Sequence, residues 1–169
     1  MLKKLNDFNE KKLIFIDANI FLYHAFNFGD ACVDFLQKVE SGFIKAATSS
    51  LVLEEVFFKL LLQSASNFIE KVTVDNLKNA LQNDTVKQQI LKPVGEYRKY
   101  IRILKDTGMT IFELKGEDIL LAIDKTEANG LIIADAAHLV IMQKRGIVHL
   151  ASADNDFFSI TDIIQWSPL

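Results

Sequence analysis

Asp17 and Asn19 stand two residues apart near the middle of LIFIDANIFLY, residues 13–23, a run otherwise apolar enough to become a buried strand. A carboxylate taken out of water costs several kcal/mol unless it is paired or holds a metal, so its position asks for a chemical reason. Three further acids break local patterns in the same way: Glu55 in SSLVLEEVF, Asp135 in GLIIADAAHLVIM and Asp154 in ASADNDFFSI. If the four converge, like charges raise one another's pKa and oppose folding unless a divalent cation sits among them. Oxygen donors alone suit Mg²⁺ or Mn²⁺, and His24, His138 and His149 form no H-x-x-x-H spacing that would suggest zinc. Hard cations held by carboxylates suit phosphodiester hydrolysis, where they acidify a water and stabilise charge on the leaving oxygen.

Taken singly, each acid also has an ordinary explanation. Asp17 could cap a turn, Asp135 could favour a helix amino terminus through the dipole, and Asp154-Asn155-Asp156 could be a polar turn. Glu55 is harder to dismiss, because Leu51, Val52, Phe58 and Leu62 surround it with apolar neighbours at helical spacing. Glu54 has similar neighbours, and periodicity does not choose between the two.

The elements that must position these residues follow from the pattern. Residues 13–18 read as a central strand covered on both sides, and residues 43–48 as a second strand beyond a helix through Ala31, Phe35, Leu36 and Val39. Ser49 or Ser50 can cap the next helix, LVLEEVFFKLLLQ, whose apolar residues run almost all the way round. Residues 64–92 form a polar helical excursion ending at Pro93, followed by a helix over 96–105 with Tyr97, Ile101 and Leu104 on one side. A third strand at 109–114 precedes a helix over 116–129 stopped by Gly130, a helix from Asp135 to Arg145, and a strand at 147–153. Residues 163–166 could add an edge strand. Strands alternating with helices predict an α/β three-layer sandwich with a central, mostly parallel sheet and a helical excursion around 64–105, in one domain spanning 1–169. Such a sheet gathers strand ends on one edge, where ligands bind and where the four acids could meet.

Composition sets the outer bounds. With 169 residues the chain can bury roughly two thirds of its unfolded surface, and 50% hydrophobic residues with 2 Pro exclude a disordered or linker-rich chain. Its 19 basic and 22 acidic side chains give a formal charge of −3, so no global positive field draws it to nucleic acid, and a polyanion must be held by a local patch. Cys32 stands alone, which removes an intrachain disulfide and a cysteine-cluster metal site and makes it a core residue. The first residues, MLKKLNDFNEKK, contain no apolar signal region, and no stretch reaches the length of a membrane span, so a cytoplasmic protein without membrane contact is expected.

The segments FIDANIFLY, SSLVLEEVF, GLIIADAAHLVIM and ASADNDFFSI together resemble the PIN-domain family of metal-dependent ribonucleases, in the family's order and across nearly the whole chain. The chain is similar in size to the VapC-like toxin branch and related archaeal PIN proteins. The resemblance implies that Asp17, Glu55, Asp135 and Asp154 are the catalytic and metal-holding acids, with Asn19, Ser152 and Asp156 supporting them. It implies hydrolysis of RNA by metal-activated water with Mg²⁺ or Mn²⁺ and, in the toxin branch, a small antitoxin protein as partner. The gap between Glu55 and Asp135 exceeds that of the compact toxins, because of the 64–92 excursion. His138 lies on the matched helix but is expected to be a packed or hydrogen-bonded histidine rather than a catalytic base.

Arg98, Arg102 and Lys105 form a basic stripe interleaved with Tyr97 and Tyr100 that could track RNA phosphates and stack bases; Lys59, Lys144 and Arg145 are further candidates for a positive rim. Phe-rich helices at 33–43 and 51–62 make a homodimer expected. Two alternatives belong to other classes. A non-catalytic PIN-like module would bind RNA or protein, although such modules tend to lose an acid and this chain keeps all four. An aspartyl-nucleophile phosphatase would want an acid where Asn19 stands.

Overall fold

The computed structural model describes residues 2–168. Six strands, β1 (Leu2–Lys4), β2 (Ile14–Ile16), β3 (Ala46–Ser49), β4 (Thr110–Phe112), β5 (His149–Ala151) and β6 (Ile164–Ser167), form one sheet in the order β1-β6-β5-β2-β3-β4. Every pairing is parallel. The expected α/β three-layer sandwich is therefore present, with its central strand where the apolar run placed it: Ile14, Phe15 and Ile16 are fully buried between β5 and β3.

Among the described residues seven α-helices connect the strands: α1 (Ala18–Ala25), α2 (Asp30–Glu40), α3 (Ser50–Ala65), α4 (Val74–Ala80), α5 (Asp84–Asp106), α6 (Gly116–Asn129) and α7 (Ile133–Lys144). Helix α3 packs against α1 and α5, whereas α6 and α7 pack on each other across a tight turn. That turn needs Gly130, whose φ of 72° is the left-handed helix cap that a side chain disfavours. Ser49, rather than Ser50, caps α3 by accepting from the Val52 N–H at 3.2 Å.

Four expectations are corrected. The first strand is shorter than read, because the chain turns at Asp17 straight into α1, a helix that the strand-like run concealed. Pro93 does not end a helix: α5 runs through it from Asp84 to Asp106. Proline removes one backbone donor, and here that loss falls on an exposed part of a long helix anchored on either side by buried Ile90 and Tyr97. The last strand is internal, because β1 pairs outside it, Lys3 beside Trp166. Tyr97 is buried and donates its hydroxyl to the Phe21 carbonyl at 2.7 Å, so it cannot stack on RNA bases.

The excursion has its own small core of Ala65, Leu77 and Ile90, separate from the main core around the sheet. Cys32 is buried in the main core, as expected. Among the described residues no helix is long and apolar enough to cross a membrane.

Candidate metal centre

The central pair β2 and β5 marks the switch point of the sheet, since the chain leaves β2 toward β3 on one side and fills β5 and β6 on the other. Asp17 follows β2 directly and Ser152 follows β5, so the two strand ends deliver them side by side. Asp17 is the amino-terminal cap of α1. Its Oδ1 accepts from the Ala18 N–H at 2.7 Å, and its Oδ2 accepts from Asn19 Nδ2 at 2.6 Å and Ser152 Oγ at 2.7 Å.

This geometry explains the amide beside the acid. Asn19 Nδ2 donates to Asp17 and, at 3.1 Å, to Ser152 Oγ, while its Oδ1 accepts from the Ala153 N–H at 2.9 Å. Ser152 uses its one donor on Asp17 and accepts from both Asn19 and the Asp154 N–H, the latter at 3.0 Å. The three side chains thus fix one another and the loop that carries Asp154. Gln165 on β6 completes the frame by donating to the Ser152 and Asp154 carbonyls at 3.0 and 2.7 Å. Gln165 was missed in the sequence, although a lone amide in IIQW was its signal.

A cleft of about 440 Å³ opens above these strand ends, lined by Asp17, Asn19, Tyr23, Glu55, Lys59, Asp135, Ala153, Asp154, Asn155 and Asp156. All four acids singled out in the sequence therefore face one space. Carboxylate oxygens of Asp135, Asp154 and Asp156 lie within 4.8 Å of one another. Glu55 lines the cleft while Glu54 is exposed, which decides between the adjacent glutamates. Lys59 binds Glu55 Oε1 at 2.5 Å, one helical turn along α3.

The electrostatics are those of a site short of positive charge. The Asp135 carboxyl is pushed up to about 7, first by burial and then by Asp17, Asp154, Asp156 and Glu55. Burial also raises Asp17, against the opposing pull of His138, Ser152 and the Ala18 N–H. All donors facing the cleft from these acids are oxygens, so a hard divalent cation fits them and would relieve the repulsion. His138 is buried against Phe15, ring centroids 5.7 Å apart, and burial holds its pKa below the ordinary value. It is a packed histidine, as expected, and does not line the cleft.

The basic candidates divide. Lys59 lines the cleft, but Lys144 is bound to Asp118 at 2.5 Å and Arg145 sits 4.7 Å over the Phe112 ring. Both stand at the far end of α7 from Asp135, about 14–15 Å along the axis at 1.5 Å of rise per residue. Arg98, Arg102 and Lys105 are exposed on α5 and do not line the cleft either.

No curated protein matches the chain by sequence. Among solved structures it is similar to a toxin–antitoxin complex from Klebsiella pneumoniae, at 15% identity and a TM-score of 0.56 over 92% of this chain and 98% of that one. It is also similar to VapC20 of Mycobacterium tuberculosis, a sarcin–ricin loop cleaving toxin, at 16% identity and a TM-score of 0.57 over 88% and 95% of the two chains. The DNA-bound VapBC of Salmonella typhimurium aligns over 100% of both chains at 12% identity and a TM-score of 0.56. Identities this low establish a shared fold. The sequence itself matches the PIN domain over residues 14–163, and the chain belongs to the PIN domain family.

Proposed function

We propose that this chain is an endoribonuclease that hydrolyses RNA phosphodiester bonds with Mg²⁺ or Mn²⁺ in the acidic cleft, and that it is the toxin of a toxin–antitoxin pair. One observation carries the nuclease reading: five acids, Asp17, Glu55, Asp135, Asp154 and Asp156, line a single cleft in which the one lysine, Lys59, is already bound to Glu55. Stacking that much like charge at a strand edge opposes folding, and a cation reverses the sign of the effect.

Asp17, Glu55, Asp135 and Asp154 would hold the cation, joined by Asp156. When bound, it supplies positive charge that makes a water more acidic and stabilises charge on the phosphate oxygens. Asn19 and Ser152 orient Asp17: two donors occupy Oδ2 and one occupies Oδ1, so the remaining lone pair of Oδ1 is the one left to face the cleft. Lys59 steadies Glu55 through Oε1 and leaves Oε2 for the cleft. Gln165 and the Asp154 to Asp156 backbone turn, in which the Asp156 N–H donates to Asp154 Oδ1 at 2.9 Å, keep the loop acids in place before any substrate arrives.

The toxin reading draws on the structural relatives, two of which are toxin–antitoxin assemblies and one a toxin that cleaves the sarcin–ricin loop. An antitoxin would then be the partner. Phe43 and Phe58, 70% and 41% exposed on or beside the two Phe-rich helices, support a homodimer as well. The test of the nuclease reading is magnesium-dependent cleavage of an RNA panel by the wild type against Asp17→Asn. Cleavage by the wild type alone is expected, and equal activity in both proteins would sink the reading.

A further inference from the structure

A second cavity, of about 520 Å³, opens beside the acidic cleft between α1, α3 and α5. Its volume lies in the range of small-molecule sites, roughly 300–1,000 Å³. The two spaces draw on the same two helices, α1 and α3. Tyr23 and Lys59 line the acidic cleft, and the next residues on the same helices, His24 and Leu60, line the second cavity.

The walls combine flat rings with hydrogen-bonding edges. Phe26 is 41% exposed at the carboxyl end of α1, and His24 stacks on Tyr100 with ring centroids 4.5 Å apart and planes 16° from parallel. Around these rings stand the side chains of Gln63, Asn67 and Glu96, all exposed. The His24 tautomer is also set. Tyr97 spends its only hydroxyl proton on the Phe21 carbonyl, so in the 3.2 Å contact with Tyr97 Oη it is His24 Nδ1 that donates, and Nε2 is left as an acceptor. Burial lowers the His24 pKa, which keeps the ring neutral for that role.

Aromatic faces bordered by amide, carboxylate and imidazole acceptors are the chemistry that recognises an unstacked nucleobase. A purely apolar side chain of a protein partner would leave those polar edges unused. The border outside the cavity is basic: Lys92 and Lys99 stand exposed on the adjoining stripe of α5, placed for backbone phosphates. We propose that the α1–α3–α5 cavity is a base-recognition subsite, taking a nucleobase of the single-stranded RNA whose backbone lies across the acidic cleft. This deepens the nuclease reading and rests on it for the identity of the substrate.

Binding can be read without cleavage. The wild-type protein, kept in EDTA, is titrated with the dinucleotides ApA, GpG, CpC and UpU, following the His24 ring-proton NMR signals and the affinity of each. The expected result is movement of the His24 signals and at least a five-fold preference for one base, flattened in Glu96→Gln and Gln63→Ala and weakened several-fold in Phe26→Ala. These three residues are exposed, so the variants keep the core intact. Equal affinities for all four bases with no change at His24 would overturn the proposal, as would binding confined to aromatic-bearing peptides, which would mark the cavity as a protein-docking site. Failure of the nuclease reading shows separately, as absence of metal-dependent RNA cleavage by the wild type.

Discussion

Strand β5 begins and ends in two opposite solutions to the same problem. At its start His149, 2% exposed, accepts a hydrogen bond at Nδ1 from Trp166 Nε1 at 3.1 Å, and Phe8 packs edge-on against both rings. Burial lowers the pKa of His149, against the pull of the Glu10 carboxylate 3.8 Å from Nε2 and with help from Lys12 and Lys3, so the ring is held toward its neutral form. Just past the other end of the strand, Asp154 joins Asp17, Glu55, Asp135 and Asp156 around an open cleft where charge is concentrated rather than removed. The first end is built for stability and the second holds stored repulsion, which a folded chain tolerates where a ligand relieves it.

The contrast is sharpened most strongly by Asp135→Asn. Losing one carboxylate of the proposed metal centre is expected to slow RNA cleavage about 10⁴-fold, or about 5.5 kcal/mol, in a single-turnover assay. The same change should leave the melting temperature of the metal-free protein equal or higher, because repulsion is removed. A clear drop in melting temperature would mean that the acids are structural, and the contrast would fail. At the other end the signs reverse: Trp166→Ala should destabilise the protein by about 3–5 kcal/mol in urea unfolding through loss of a buried aromatic. Any effect of that change on cleavage should follow the unfolded fraction alone.

Adding Mg²⁺ or Mn²⁺ at a hundred times its dissociation constant should stabilise the wild type by about 2.7 kcal/mol. For a chain of this length that is a rise of roughly 5–10 °C in calorimetry. The rise should vanish in Asp154→Asn and persist in Trp166→Phe. Acidification gives the smallest effect. The folded pKa of His149 lies below its ordinary value of 6.5, so the unfolded chain binds the proton first. Stability contributed at that site is complete above pH 6.5 and is lost as pH falls below it toward the folded pKa. His24 and His138 shift in the same direction for the same reason and add to the slope. Asp135 and Asp17, whose carboxyls are raised, take up protons in the folded state over the same range and oppose that slope, so the site is read by NMR: a His149 ring titrating at or above 6.5 would contradict the neutral, buried assignment.

Much of the cleft was legible because its acids violate local patterns. Asp17 interrupts an apolar strand and Asp135 opens an apolar helix, and a parallel sheet sends such positions to one edge. The resemblance gives Asp156 a supporting role, and a polar triplet by itself does not say which of its carboxylates turn inward; the short 3₁₀ turn over Asn155–Ser159 brings its oxygens beside those of Asp135 and Asp154. The Tyr97 and Tyr100 pair shows the opposite limit. Helical spacing placed both beside a basic stripe, but the packing of α5 on α3 turned Tyr97 inward to Phe21 and stacked Tyr100 on His24. Lys144 and Arg145, neighbours of the Asp135 helix in sequence, are carried away from the cleft by the length of that helix and occupied by Asp118 and Phe112.

By itself the sequence determined most of the strand and helix alternation, the central apolar strand, the unpaired cysteine and the positions of Asp17, Asp135 and Asp154 as pattern-breaking acids, because each of these is written in local periodicity or in a residue type that breaks it. Tertiary structure decided which glutamate faces the cleft, that Asn19, Ser152 and Gln165 form one hydrogen-bonded frame, and that a ring-lined cavity opens between α1, α3 and α5. Those facts depend on how distant segments pack, and packing is set by the sum of many weak contacts that no short stretch of chain contains.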